Sequence, residues 1–169
     1  MNRIIESPFI SRLRRNHGLE HATMHILSRR KQNRPLTGRS DSRGFWLVGD
    51  ISTEELANGV TEALARLRGG ERYLAVHPNC GTNLATYGMA AGLGAFIGMV
   101  GVGRRWRDKF ERLPLVVLLA TLALVAAQPV AFRLQERFTT SGDPGDMIIV
   151  EIFKTSLGGL TVHRVLTKG

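Results

Sequence analysis

The sequence is short of cysteine, of aromatic residues and of negative charge. A single cysteine, Cys80, excludes an internal disulfide, so nothing in the thiol content points to an oxidising compartment. Aromatic residues make up 7% of the chain and no known nucleic-acid-binding module appears. Nucleic acid is therefore a poor candidate partner despite the net charge of +9. The excess of 23 Lys and Arg over 14 Asp and Glu suits anionic membrane lipid better. Residues 1–16 carry four arginines and no apolar run long enough for a secretory signal. At 169 residues the length allows one domain or one and a half.

What is present is segregated. Apolar residues concentrate between Leu84 and Phe132, with most charges outside. Leu84 to Val102 holds no charge, and Leu113 to Phe132 has only Gln128 as a strongly polar residue. Each is long enough to cross a bilayer. The Gly103–Arg112 connection between them carries Arg104, Arg105, Arg107, Lys109 and Arg112. A two-helix transmembrane hairpin is the expectation. Gly88-x-x-x-Gly92 and Gly94-x-x-x-Gly98 are the small-residue spacings that let two helix backbones pack closely in lipid. The basic connection argues, by the positive-inside rule, for a cytoplasmic loop. The missing signal and the reduced Cys80 argue instead for a cytoplasmic head at the inner (plasma) membrane, and that orientation is adopted.

The flanking segments predict an α+β head. Ser7-Pro8 starts a helix, with serine as N-cap and proline in the first turn. Phe9, Ile10, Leu13, His17, His21, Met24 and Ile26-Leu27 recur at helical spacing up to Arg29-Arg30-Lys31, whose cations suit the C-terminal dipole. A loop then runs through about Gly44. Residues 45–51 read as a strand, Ser52-Thr53-Glu54-Glu55 as a capping box opening a helix that ends at Gly69-Gly70, and 73–76 as a second strand. After a turn-rich loop at 141–146, residues 148–153 and 160–166 form a hairpin that completes the sheet. The expected architecture is thus a small mixed sheet with an N-terminal metal-site helix, interrupted by the membrane hairpin. Its divisions are an N-terminal head (1–83), the hairpin (84–132) and a C-terminal β-hairpin (133–169).

The chemistry concentrates at His17-Gly18-Leu19-Glu20-His21. On a helix His21 lies about 40° around the axis from His17, and Glu20 about 60° to the other side. Two imidazoles one turn apart with a carboxylate beside them form half a zinc site. The H-x-x-E-H order, the reverse of the H-E-x-x-H protease helix, is the inverzincin signature. Gly18 inside the helix costs roughly 1 kcal/mol relative to alanine, tolerable where a backbone or a metal site approaches closely. The remaining ligands are expected from His77-Pro78-Asn79-Cys80-Gly81, with His77 and Cys80 supplying one or two. With three protein ligands the site is catalytic and Glu20 is the candidate base; with four it is closed and structural. His25, about 80° from His17, is a flanking group, His163 in its strand pattern is structural, and Asp143 and Asp146 serve the turn. Plainer readings stand beside this one: histidines on a helix are often surface or hydrogen-bonded groups, and the Cys80 turn could merely start a membrane helix.

The pairing of His17-Gly18-Leu19-Glu20-His21 with His77-Pro78-Asn79-Cys80-Gly81-Thr82, followed directly by apolar segments, resembles the bacterial YqhQ-type family of predicted metal-dependent membrane proteins. That resemblance covers the two motifs and their order, and implies His17, His21, His77 and Cys80 as metal ligands and Glu20 as the acid–base residue. The chain departs from the pattern at Ala22-Thr23-Met24-His25 and in its short length. The function expected is a membrane-anchored, zinc-dependent, peptidase-like hydrolase, with membrane lipids as surroundings and a membrane-associated peptide or lipid as substrate. A non-catalytic membrane protein with structural zinc and a basic adaptor without metal are the alternatives.

Overall fold

The computed structural model describes residues 7–30 and 35–169. The chain forms two compact units, Met1–His77 with Glu136–Gly169, and Pro78–Gln135. The first is an α+β unit. Its elements are α1 (Pro8–Arg30), β1 (Thr37–Asp41), β2 (Gly44–Val48), α2 (Thr53–Arg68), a 3-10 turn at Arg72–Ala75, β3 (Ile148–Leu157) and β4 (Leu160–Lys168). Pro8 opens α1 as expected, while Lys31 lies outside the described residues.

Among the described residues four strands lie in the order β1-β2-β4-β3, every neighbour antiparallel. The sheet is therefore not mixed, as the sequence suggested. Two segments account for the difference. Residues 37–41, read as loop, form β1, a polar edge strand without apolar alternation. It turns back through an aspartate-capped reversal in which the Arg43 amide donates to Asp41 Oδ1 at 2.7 Å. Residues 73–76, read as a strand, instead form the end of the 3-10 turn. There Arg66 Nε donates to Glu71 Oε1 (2.8 Å) and Tyr73 donates to Glu71 Oε2 (2.7 Å). These bonds tie the turn to α2, and Leu74 and Ala75 are buried. No β-α-β unit results.

The capping box of α2 is formed: the Glu55 amide donates to Ser52 Oγ at 3.1 Å, and the Ser52 amide to Glu55 Oε2 at 3.0 Å. Leu56, Val60, Ala63, Leu64 and Leu67 of α2 join Leu19, Ala22, Ile26 and Leu27 of α1 and Phe45, Leu47 and Val165 of the sheet in one core. Gly44, with φ of 144°, is held where a Cβ would meet Val165 O at 1.9 Å. The β3–β4 hairpin closes through Gly158 and Gly159, both in the left-handed region, as a tight two-residue reversal requires.

The second unit is a helical hairpin, α3 (Gly81–Met99) and α4 (Trp106–Leu134). Gly94 and Gly98 permit the contact: a Cβ would meet Leu119 O at 2.6 Å from Gly94 and Val116 Cα at 3.0 Å from Gly98. Gly88 and Gly92 have nothing within 4 Å, so only one of the two small-residue spacings serves this pairing. Arg112 Nε donates to Gly98 O at 3.2 Å and closes the end of α3. Among the described residues one helix, not two, is long and apolar enough to cross a membrane: α4 with its continuation to Thr139. The α3 helix, at 19 residues, is long enough but falls short in hydropathy, because five of its residues are glycine and its first turns carry Thr82, Asn83 and Thr86. Only 6% of the apolar stretch of α4 is buried.

Candidate metal centre

The middle of α1 is pressed against two other segments of the first unit. A Cβ at Gly18 would lie 2.1 Å from Ser141 O and 3.2 Å from Ala75 Cβ. The glycine is thus explained by close backbone approach, and the Ser141 amide donates to Arg14 O at 2.9 Å beside it.

That approach sets the imidazoles. His17 Nδ1 donates to Thr139 O at 3.0 Å, and His21 Nδ1 to Ala75 O at 2.8 Å. A carbonyl oxygen only accepts, so Nδ1 carries the proton in both rings and Nε2 is the lone-pair nitrogen. His25 is the opposite tautomer, donating from Nε2 to Val76 O at 2.8 Å. His77, at the end of the same turn, completes a cluster of four rings. Centroid separations are 4.4 Å for His17–His21, 5.6 Å for His21–His77 and 4.8 Å for His25–His77. Burial, with the neighbouring His25 and His21 adding to it, pushes the His77 pKa down to about 4. His77 is therefore neutral at pH 7.

Glu20 is buried where α1 meets β1. Its carboxylate accepts from the Ser40 hydroxyl on β1, and a Cβ at Gly38 would lie 2.2 Å from Oε1, so this strand packs directly on the acid. Cys80 is buried and in no disulfide; it lies in the second unit, where it heads α3, three residues beyond His77 along the chain. Within that unit Asn83 Nδ2 donates to Pro78 O at 3.1 Å and holds the proline turn. His163 stands apart in the sheet, hydrogen-bonded to Thr53 Oγ1 at 3.1 Å, with its pKa lowered by burial and by Lys154. Asp143 serves the loop, accepting from the Gly145 amide at 3.0 Å, whereas Asp146 pairs with Arg15 at 3.4 Å.

Other buried polar groups have no counterpart in the motif reading. Asn16, next to His17, donates to Asp41 O at 2.8 Å and accepts from the Thr167 hydroxyl at 2.6 Å. Arg164 donates to Asp41 Oδ1 at 2.8 Å and lies 4.8 Å over the Trp46 ring. Burial raises the Asp41 pKa, but the Arg164 and Arg43 hydrogen bonds outweigh it and the net shift is downward. These groups lock α1 to the sheet and thereby fix the helix that carries the imidazoles. Their only signal in the sequence is residue type.

Fold and site together define an α+β protein that carries an apolar helical hairpin and a four-histidine cluster between its first helix and a 3-10 turn. The chain belongs to the family described as a domain of unknown function, DUF6391, whose profile matches residues 12–152 and so includes every residue of both motifs. A protein of Picosynechococcus sp. described as uncharacterized is 37% identical over 94 residues, covering 47% of this chain and 46% of that protein. The chain thus spans about half the length of this curated relative. No solved structure matches it.

Proposed function

We propose that this protein is a membrane-anchored, zinc-dependent hydrolase, peptidase-like in its chemistry. His17, His21 and His77 would hold the ion, joined by Cys80. The observation that carries this reading is the pair of Nδ1–H···O=C bonds on His17 and His21. Metal-ligating histidines commonly donate their second nitrogen to a carbonyl, which fixes the tautomer and orients the ring. The spacing of the helix pair also fits: rings sharing one tetrahedral zinc stand roughly 5 Å apart by the usual Zn–N length, and His17 and His21 stand 4.4 Å apart. His77, neutral at pH 7, needs no proton removed before it can ligate. Cys80 enters through sequence, since three residues reach at most about 10 Å.

When bound, the ion supplies Lewis acidity to the hydrolysis. Glu20 would take and hold the proton released in the reaction, with Ser40 orienting its carboxylate. Asn16, Gly18 and the Thr139 and Ala75 carbonyls keep the imidazoles in place. Membrane anchoring rests on α4, whose apolar side chains, such as Val117 (61% exposed) and Leu122 (56%), lack the protein cover that a soluble core helix would have. The head would lie on the cytoplasmic face of the inner membrane, where the substrate is a membrane-associated peptide or lipid. The four-ligand set including the thiolate also describes a closed site, so structural zinc is the second reading.

Metal analysis of the detergent-purified protein tests the centre: about one zinc per chain is expected, and a marked loss in His21→Ala. Wild-type protein without metal overturns the centre. Glu20→Gln separates the two readings, because an intact metal content with lost hydrolysis supports catalysis, while unchanged behaviour in both leaves structural zinc.

A further inference from the structure

We propose that the tip of the helical hairpin binds one anionic phospholipid. This inference rests on the membrane reading above and is independent of the metal. Trp106, Lys109, Phe110 and Leu113 recur at i, i+3, i+4 and i+7, so they share one face of α4. With Met99 at the end of α3 they line a groove of about 190 Å³. The walls are apolar apart from the Lys109 head. Lys109 Nζ lies 5.0 Å over the Trp106 ring, and the Trp106 and Phe110 rings are 6.2 Å apart. Trp106 is 74% exposed and Phe110 64%, an unusual state for two large aromatics beside a charge in water. It is the ordinary one at a membrane interface, where indole rings sit at headgroup level.

Charge decides which lipid. Residues 104–112 carry five cations against two carboxylates. Two of these charges are engaged locally, Arg112 with Gly98 O and Val100 O and Asp108 with the Arg105 amide. Arg104, Arg105 and Arg107 are exposed but do not line the groove, where Lys109 is the one cation. The apolar floor would take the upper methylenes of an acyl chain while the phosphate meets Lys109 at the rim, and a phospholipid of net negative charge balances the surplus that a zwitterionic one leaves.

The test reconstitutes the full chain in phosphatidylcholine vesicles containing one-tenth brominated phosphatidylglycerol or, in parallel, one-tenth brominated phosphatidylcholine. Bromine quenches nearby indoles, and the signal of Trp106 is obtained by difference from Trp106→Phe. Quenching by the anionic lipid should exceed that by the zwitterionic one about fivefold for each engaged cation. Lys109→Gln should bring the ratio close to one, while Arg107→Gln, outside the groove, should leave it. Equal quenching by both lipids in the wild type overturns the site and leaves the membrane reading intact. Equal losses in the two variants also overturn it, as a diffuse field. No quenching by either lipid overturns the membrane reading together with the site.

Discussion

Gly18→Ala sets two well-known effects against each other. Alanine inside an exposed helix gains roughly 1 kcal/mol over glycine, so helix propensity alone predicts a more stable protein. Here the added Cβ would stand 2.1 Å from Ser141 O, more than an ångström inside ordinary contact, and both sides of the clash are backbone. Relief requires the 139–141 segment to withdraw from α1 by roughly 1 Å. That movement stretches three bonds: the Ser141 amide to Arg14 O (2.9 Å), His17 Nδ1 to Thr139 O (3.0 Å) and Arg14 to Thr140 O (3.0 Å). At about 1 kcal/mol for each hydrogen bond, the loss exceeds the propensity gain by about 2 kcal/mol. Denaturant unfolding in detergent, followed through Trp46 in the head, should show that destabilisation. Metal content should fall with it, because His17 loses its orienting carbonyl. A variant as stable as the wild type, or more so, would refute the close approach as the reason for the glycine.

Two further outcomes follow from the same reasoning. His163 is buried with a pKa below 6.5, so the unfolded chain takes up a proton that the native ring refuses. Stability should rise with pH up to about 6.5 and level off above it, with a slope of at most about 1.4 kcal/mol per pH unit for each such group. His77 contributes in the same direction down to about 4, so unfolding midpoints of His163→Gln should retain part of the slope; an unchanged slope counts against the assignment to His163. In the hairpin, Gly94→Leu should separate α3 from α4 because it meets Leu119 backbone, whereas Gly88→Leu should not. A cysteine pair across the two helices, cross-linked in detergent, reports the difference, and equal cross-linking in both variants would contradict the observed packing.

How much of this was legible in the sequence depended on the distance over which each feature is determined. The α2 cap is local: Ser52 and Glu55 are three residues apart, and the helix starts where they say. The β3–β4 hairpin is nearly as local, punctuated by Gly158-Gly159. β1 was hidden because Thr37-Gly38-Arg39-Ser40-Asp41 has no apolar face and gains its strand character only from pairing with β2. Tyr73-Leu74-Ala75-Val76 misled in the opposite way, since its apolar run resembles a strand while its Ala75 and Val76 carbonyls serve His21 and His25 instead of a ladder. In the candidate site the spacing of His17 and His21 was readable, and so was Gly18 as a place of close approach. The acceptors that fix the tautomers were not, because they lie 122, 54 and 51 residues away from their donors.

The order of strands in the sheet has a consequence for biosynthesis. β2 lies between β1 and β4, so the early half of the head emerges long before the strand that completes it. Thr53 and His163, bonded in the finished protein, are 110 residues apart. At about 5–20 residues per second the ribosome takes roughly 5 to 20 s to bridge that gap, and the apolar hairpin is made during the wait. Phe45 and Leu47 are left without their final cover for the whole interval. The head therefore finishes folding only after the hairpin has left the ribosome, and a block in the hairpin's delivery should expose the unfinished head to proteolysis.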